Sequence, residues 1–194
     1  MALFNKRYLE KIAEADYKIQ ESLAQESASY RKVLGSYSVL NKNQKFDIFL
    51  SHSSIDKIAV GGLAKHLEKT YHLSTYVDWI NDPQLDRSNV TKETAEIIKM
   101  RMSNSSCLFY VTSLNAPKSK WMPWELGIMD ALVGKVAICP LSEEYSNSDS
   151  YNGQEYLGLY PYISESASHY FGSLLWIHNK PNKKVLFPKW LKEY

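Results

Sequence analysis

Between residues 46 and 141 the apolar pattern changes period again and again, and this alternation restricts the fold more than any other feature of the chain. FDIFLS (46–51), LSTYVD (73–78), SCLFYVT (106–112) and KVAICPL (135–141) are short runs with strand character. Between them, IDKIAVGGLAKHLEKTY (55–71), VTKETAEIIKMRM (90–102) and SKWMPWELGIMDAL (119–132) carry helical spacing. Strands joined through helices run parallel, with helices on both faces of the sheet, so the expected class is α/β. Ligands in such folds gather at the carboxyl ends of the strands. Three loops lie there: SHSS after the first strand, DWINDPQLDR after the second and SLNAPKSKW after the third.

The flanks are simpler. Residues 3–34 lack Gly and Pro, and Leu9, Ile12, Ile19 and Leu23 fall roughly on one face, which predicts an amphipathic helical arm, broken near its serines. Its apolar stripe is thin, so the arm is expected to pack on the main domain or on another subunit. Beyond 141, SEEYSNSDSYNGQEY reads as an irregular loop, SLLWIH (173–178) as a fifth strand and PKWLKEY as a short closing helix. The resulting divisions are an arm and linker over 1–44, a main domain over 45–180 and a C-terminal helix over 181–194. A chain of 194 residues with 44% hydrophobic content has room for one full core.

Composition excludes several functions. The 23 basic and 21 acidic residues leave a net charge of +2, too little to recruit nucleic acid or an anionic membrane. Cys107 and Cys139 sit inside apolar runs and read as buried free thiols, which fits a reducing, cytoplasmic compartment; neither a signal peptide nor a membrane-length apolar run is expected. Five histidines show no paired spacing, so no metal site is expected. The glycine signatures of dinucleotide and P-loop sites are absent, and Gly61 and Gly62 read as close helix-to-sheet packing.

Three motifs carry chemistry. SHSSIDK lacks the G-x-S-x-G elbow of a nucleophilic serine; a helix cap by Ser53 or Ser54 and a site for ligand hydroxyls or phosphates fit it equally well. DWINDPQLDR combines Asn81, Asp82 and Asp86 with Trp79 and Ile80, apolar groups wasted on plain solvent, so the loop covers a cleft or binds a neighbour, or else is a surface loop with one tucked tryptophan. In the third motif Pro123 belongs to a first helical turn, which puts Glu125 near a helix N-terminus. At about 100° per residue, Ile128, Met129 and Leu132 share its face, so the carboxylate points to the apolar side. Local physics leaves two readings about even: a glutamate capping its own helix, worth about 0.3–1 kcal/mol, or a working carboxylate. Trp121 and Trp124 shift the balance toward a pocket for a planar, cationic ligand such as a nicotinamide ring.

On these residues the chain from about 45 to 141 resembles a TIR (Toll/interleukin-1 receptor) domain. FDIFLSHSS is similar to its first strand and following loop, YVDWINDPQLDR to its BB loop, and Ser113, Ser119, Trp121 and Glu125 match its S-x5-S-x-W-x3-E motif. Met122 stands where a cysteine often follows the tryptophan, and Trp124 precedes the glutamate. The resemblance implies a flavodoxin-like, five-stranded parallel sheet flanked by helices, and an enzyme that splits NAD at the nicotinamide–ribose bond with Glu125 as the catalytic group. NAD is then a substrate and no cofactor is implied. Ser51, His52, Asp78 and Trp79 would line the NAD pocket, with Ser119, Trp121 and Trp124 beside the scissile bond. The family also implies homo-oligomers through TIR–TIR contacts, here involving Trp79, Asp82 and Arg87. Stand-alone members resemble the sensors of Thoeris-like antiphage systems, which make an ADP-ribose-derived signal for a separate effector; the product is left open. Two alternatives are a non-catalytic TIR scaffold and an enzyme like the nucleoside deoxyribosyltransferases.

Overall fold

The structure is a computed structural model that describes residues 1–16, 19–21, 41–83, 85, 87, 91–143, 150–153, 155–168, 172–180 and 183–193. Much of the expected arm helix beyond residue 21, Asp86 of the second loop and part of the irregular stretch after 143 lie outside the described residues.

The described elements are β1 (Phe4–Asn5), α1 (Lys6–Glu14), β2 (Phe46–Ser51), α2 (Lys57–Tyr71), β3 (Thr75–Tyr76), α3 (Asp78–Asn81), α4 (Lys92–Ser103), β4 (Ser105–Thr112), α5 (Trp121–Leu132), β5 (Val136–Ser142), β6 (Tyr162–Ser168), β7 (Gly172–Lys180), β8 (Lys183–Leu186) and α6 (Phe187–Glu193). The sheet order is β3-β2-β4-β5-β6-β7-β8. From β3 to β6 every pairing is parallel, so the five-stranded parallel sheet flanked by helices is present. Its fifth member is β6 rather than the strand expected at 173–178. That segment forms β7, which runs antiparallel to β6 and continues into β8. The apolar run SLLWIH was visible as a strand, but its direction depends on β6, whose sequence YISESAS is polar and whose register with β5 is the single pair Ile138↔Tyr162.

Strand β4 alternates between two cores. Cys107, Phe109 and Val111 face one side with α2 residues Leu63 and Leu67, while Leu108 and Tyr110 face the other with Met122 and Met129 of α5. Both cysteines are free and buried, and burial pushes both thiols up. The second expected strand is cut short: Asn81 Oδ1 accepts a 2.7 Å bond from Val77 N–H, and the chain turns into α3 at Asp78.

The arm is less of an appendage than its composition implied. β1 pairs with the carboxyl end of β5, Phe4 opposite Leu141, while Ala2 exchanges both backbone hydrogen bonds with Glu165 of β6 at 2.9 and 3.0 Å. The first residues thus fill the gap where β5 and β6 diverge. Asn5 caps α1 by accepting from Tyr8 N–H, and Phe4, Leu9 and Ala13 join the main core. A Cβ on Gly62 would stand 1.8 Å from Leu9 O. Gly62 therefore serves helix-to-helix contact with α1, not the expected helix-to-sheet packing. Among the described residues no helix is long and apolar enough to cross a membrane, and no cluster of His, Cys, Asp and Glu could hold a metal ion.

Candidate active site

Ser51 ends β2 and is fully buried, and its Oγ donates a 2.6 Å hydrogen bond to Glu125 Oε2. Next to it, His52 Nδ1 lies 2.9 Å from the Leu50 carbonyl. A carbonyl only accepts, so Nδ1 carries the hydrogen, and Nε2 faces Asp78 Oδ1 at 3.6 Å. Asp78 opens α3 at the carboxyl end of β3, as the strand-end rule requires.

Arg87 joins these groups. Its Nη1 donates to Asp78 Oδ2 at 2.8 Å and its Nη2 to Glu125 Oε1. The guanidinium lies 5.2 Å from the centroid of the Trp121 ring, and Trp121 Nε1 donates to the Arg87 carbonyl at 2.9 Å. Trp124 meets Trp121 edge-on at 5.3 Å. Burial works to raise the Asp78 pKa, but His52 and Arg87 outweigh it and hold this carboxyl below the usual range. For Arg87, burial opposes the charge, and Glu125 and Asp78 more than restore it, so its pKa is pushed up and the guanidinium stays charged.

Glu125 is 0% exposed. It is the fifth residue of α5, two residues past the third, the last position from which a capping-box side chain acts. Ser119 serves the first turn instead, its Oγ accepting from Met122 N–H at 3.3 Å, and Pro123 sits where its missing N–H costs nothing. Capping therefore does not explain Glu125. Met129 shares its buried face as expected, whereas Leu132, at the end of the helix, is 57% exposed.

No family model matches the chain. It is 46% identical over 159 residues to the "Probable 3' cyclic ADP-D-ribose synthase ThsB'" of Bacillus cereus (strain MSX-D12), an alignment that covers 81% of each protein. The chain belongs to the Thoeris-type bacterial TIR proteins. A further relative, provisionally named cyclic ADP-D-ribose synthase TIR2, from Cytobacillus dafuensis, is 33% identical over 115 residues, covering 58% of this chain and 30% of that protein.

In this TIR protein the second loop follows the reading with a tucked tryptophan rather than the one with an exposed Trp79. Trp79 is 4% exposed and packs in the α2-side core, where a Cβ on Gly61 would come within 3.1 Å of its ring. It is neither exposed nor beside Trp121, because the helical turn of α3 sends adjacent Asp78 and Trp79 to different sides. Asp82 is 1% exposed and clamps Arg101 through two 2.8 Å bonds while accepting from Tyr76 Oη at 2.9 Å. Trp79, Asp82 and Arg87, expected at a contact between copies, are thus all engaged inside one chain.

The structure adds residues that the sequence did not single out. Asp56 is buried at the start of α2, where it accepts from Ser113 Oγ at 2.5 Å and Asn115 Nδ2 at 2.9 Å and pairs with Lys6 Nζ at 3.2 Å. It ties the loops after β2 and β4 to the arm. Ser53, not Ser54, caps the turn before it, accepting from Ile55 N–H. Its position inside SHSSID at a strand end was a signal for Asp56; Lys6 carried none. A cavity of about 480 Å³ opens beside α2 and the β3 edge, and it shares no residue with the Glu125 cluster.

Proposed function

We propose that this TIR protein cleaves NAD+ at the nicotinamide–ribose bond and closes the ADP-ribose part into a cyclic ADP-D-ribose, as an antiphage signal. The observation that carries the reading is the fully buried Glu125 carboxylate, oriented by Ser51 beside Trp121. The activity named for the Bacillus cereus relative supports it, and the isomer in that name, 3' cyclic ADP-D-ribose, is the product we assign.

As the C–N bond breaks, its electron pair leaves with nicotinamide, which becomes neutral. Positive charge grows on the ribose, and the Glu125 carboxylate stabilises it and holds the ribose hydroxyls. A hydroxyl oxygen of the same molecule then forms the new C–O bond and releases its proton to solvent, so nothing is oxidised or reduced. The leaving group is already cationic, and no strong general acid is required. Ser51 keeps one carboxylate oxygen in place. The protein would work in the cytoplasm as a homo-oligomer, its product read by a separate effector.

The test is NAD+ incubation followed by chromatography and mass spectrometry of nicotinamide and nucleotide products, with Glu125→Gln in parallel and with infected-cell lysate added to both. Loss of about 10²-fold or more in nicotinamide release by Glu125→Gln is expected. Unchanged release in that variant removes Glu125 from the chemistry. No release by the wild type under either condition leaves the scaffold reading, and cleavage of deoxynucleosides instead of NAD+ the deoxyribosyltransferase-like one.

A further inference from the structure

We propose that Arg87 is an internal stand-in for the positively charged ring of the substrate: its guanidinium fills the cation subsite formed by Asp78, Glu125 and Trp121, and NAD+ must displace it. The inference rests on the NAD-cleaving reading and extends it to how that site is held at rest.

Four observations carry it. The guanidinium is planar and cationic, and it lies against the Trp121 indole between two carboxylates, surroundings that equally suit the planar, cationic nicotinamide ring of NAD+. Both oxygens of Glu125 are engaged, one by Ser51 and the other by Arg87, and the residue has no exposed surface. A ribose diol cannot reach this carboxylate until the Arg87 side chain moves away. Asp78 Oδ1 is buried, and with His52 Nε2 3.6 Å away it has no donor within hydrogen-bond distance among the described residues. Finally, the exchange conserves charge: with His52 still facing Asp78, one guanidinium sits against Asp78 and Glu125, and one pyridinium cation would replace it.

The exchange has a direction. Substrate carries the charge that competes with Arg87, but nicotinamide leaves as a neutral molecule. Once the bond is broken, the subsite again favours the guanidinium, and Arg87 returns to its resting contacts. A positioning role for Arg87, holding Glu125 for catalysis, makes the opposite prediction, so the two can be told apart.

The experiment compares wild type with Arg87→Ala and Arg87→Gln. Steady-state nicotinamide release should show KM for NAD+ lowered about tenfold in both variants, as for a competent state populated near one part in ten, with kcat within about twofold. Methylguanidinium should inhibit Arg87→Ala competitively with NAD+ and leave the wild type unaffected at the same concentration. An unchanged or raised KM overturns the proposal. So does a fall in kcat that methylguanidinium restores, which identifies a positioning residue. On the wild type alone, phenylglyoxal should modify Arg87 slowly, and 1-methylnicotinamide, a cation that cannot be cleaved in the same way, should accelerate the modification. Slower or unchanged modification refutes displacement even if neither variant folds. Because Glu125→Gln tests the chemistry separately, its loss of activity together with a negative result at Arg87 would sink only the stand-in.

Discussion

Replacing Gly62 by alanine tests whether α1 is built into the core. An alanine Cβ would stand 1.8 Å from Leu9 O and 2.5 Å from Leu9 C, where ordinary contact begins near 3.4 Å. Both atoms are backbone, so no rotamer change relieves the clash, and α1 must retreat by more than an ångström. Retreat opens the packing of Leu9 and Ala13, both buried. Losing most of a leucine's burial and the contacts beside it costs about 3–4 kcal/mol. Alanine returns about 1 kcal/mol of helix propensity in α2, which leaves a net loss of about 2–3 kcal/mol. Urea denaturation should show the midpoint falling with little change in slope. Limited trypsin digestion should find Arg7 and Lys11 newly susceptible, and kcat/KM should fall as Lys6 withdraws from Asp56. A variant as stable as the wild type, with α1 still protected, would refute the close approach of the two helices.

Further substitutions probe the site and its supports. Ser51→Ala removes a 2.6 Å bond to buried Glu125 and should lower kcat/KM about 10- to 100-fold, at roughly 1–3 kcal/mol, while the fold persists by circular dichroism; an unchanged rate would show that Ser51 does not orient the carboxylate. Asp82→Asn leaves the buried Arg101 guanidinium without its counter-ion and should cost about 3–5 kcal/mol in denaturant melts, whereas a cost under about 1 kcal/mol contradicts the clamp. Because the folded Asp78 pKa is depressed below 3.8, its contribution to stability is complete above that value and is lost as pH falls through the folded pKa. The stability gap between wild type and Asp78→Asn should therefore be flat from about pH 7 to 5 and narrow below about pH 4. Cys107 and Cys139 should resist a thiol reagent at pH 8 until the protein unfolds, and rapid native labelling would contradict their burial.

Strands β4 and β5 were legible in the sequence because each is an uninterrupted apolar run covered on both faces. β6 was not: Ser164, Glu165 and Ser166 disguise it, and its place in the sheet comes from pairing with β7. β1 is two residues long and has no signal apart from the gap it enters. The candidate site divides along the same line. Glu125, Ser51 and Asp78 could be nominated because the alternation puts them at strand ends, and the indoles beside Glu125 made it unusual. Arg87 was placed on a contact surface because a polar loop gives no information on where an arginine points; only the fold brings it to a carboxylate 38 positions away. Trp79 could be read as exposed at a contact or as tucked beneath its loop, and the short turn of α3 selects the second. Lys6 and Asp56 form a pair that local pattern cannot reveal.

The insertion of β1 between β5 and β6 also sets an order of assembly. Lys6 and Glu143 are 137 positions apart, and Ala2 pairs with a strand formed later still in the chain. Closing so long a loop costs entropy that its few local bonds cannot repay alone, so these first residues dock only after the later strands have taken their places. On a ribosome, the segment made first waits for the segments made afterwards. Asp56 lacks its lysine until then, and a chain released before β6 is synthesised carries Glu125 and Ser51 in a sheet whose seam is still open.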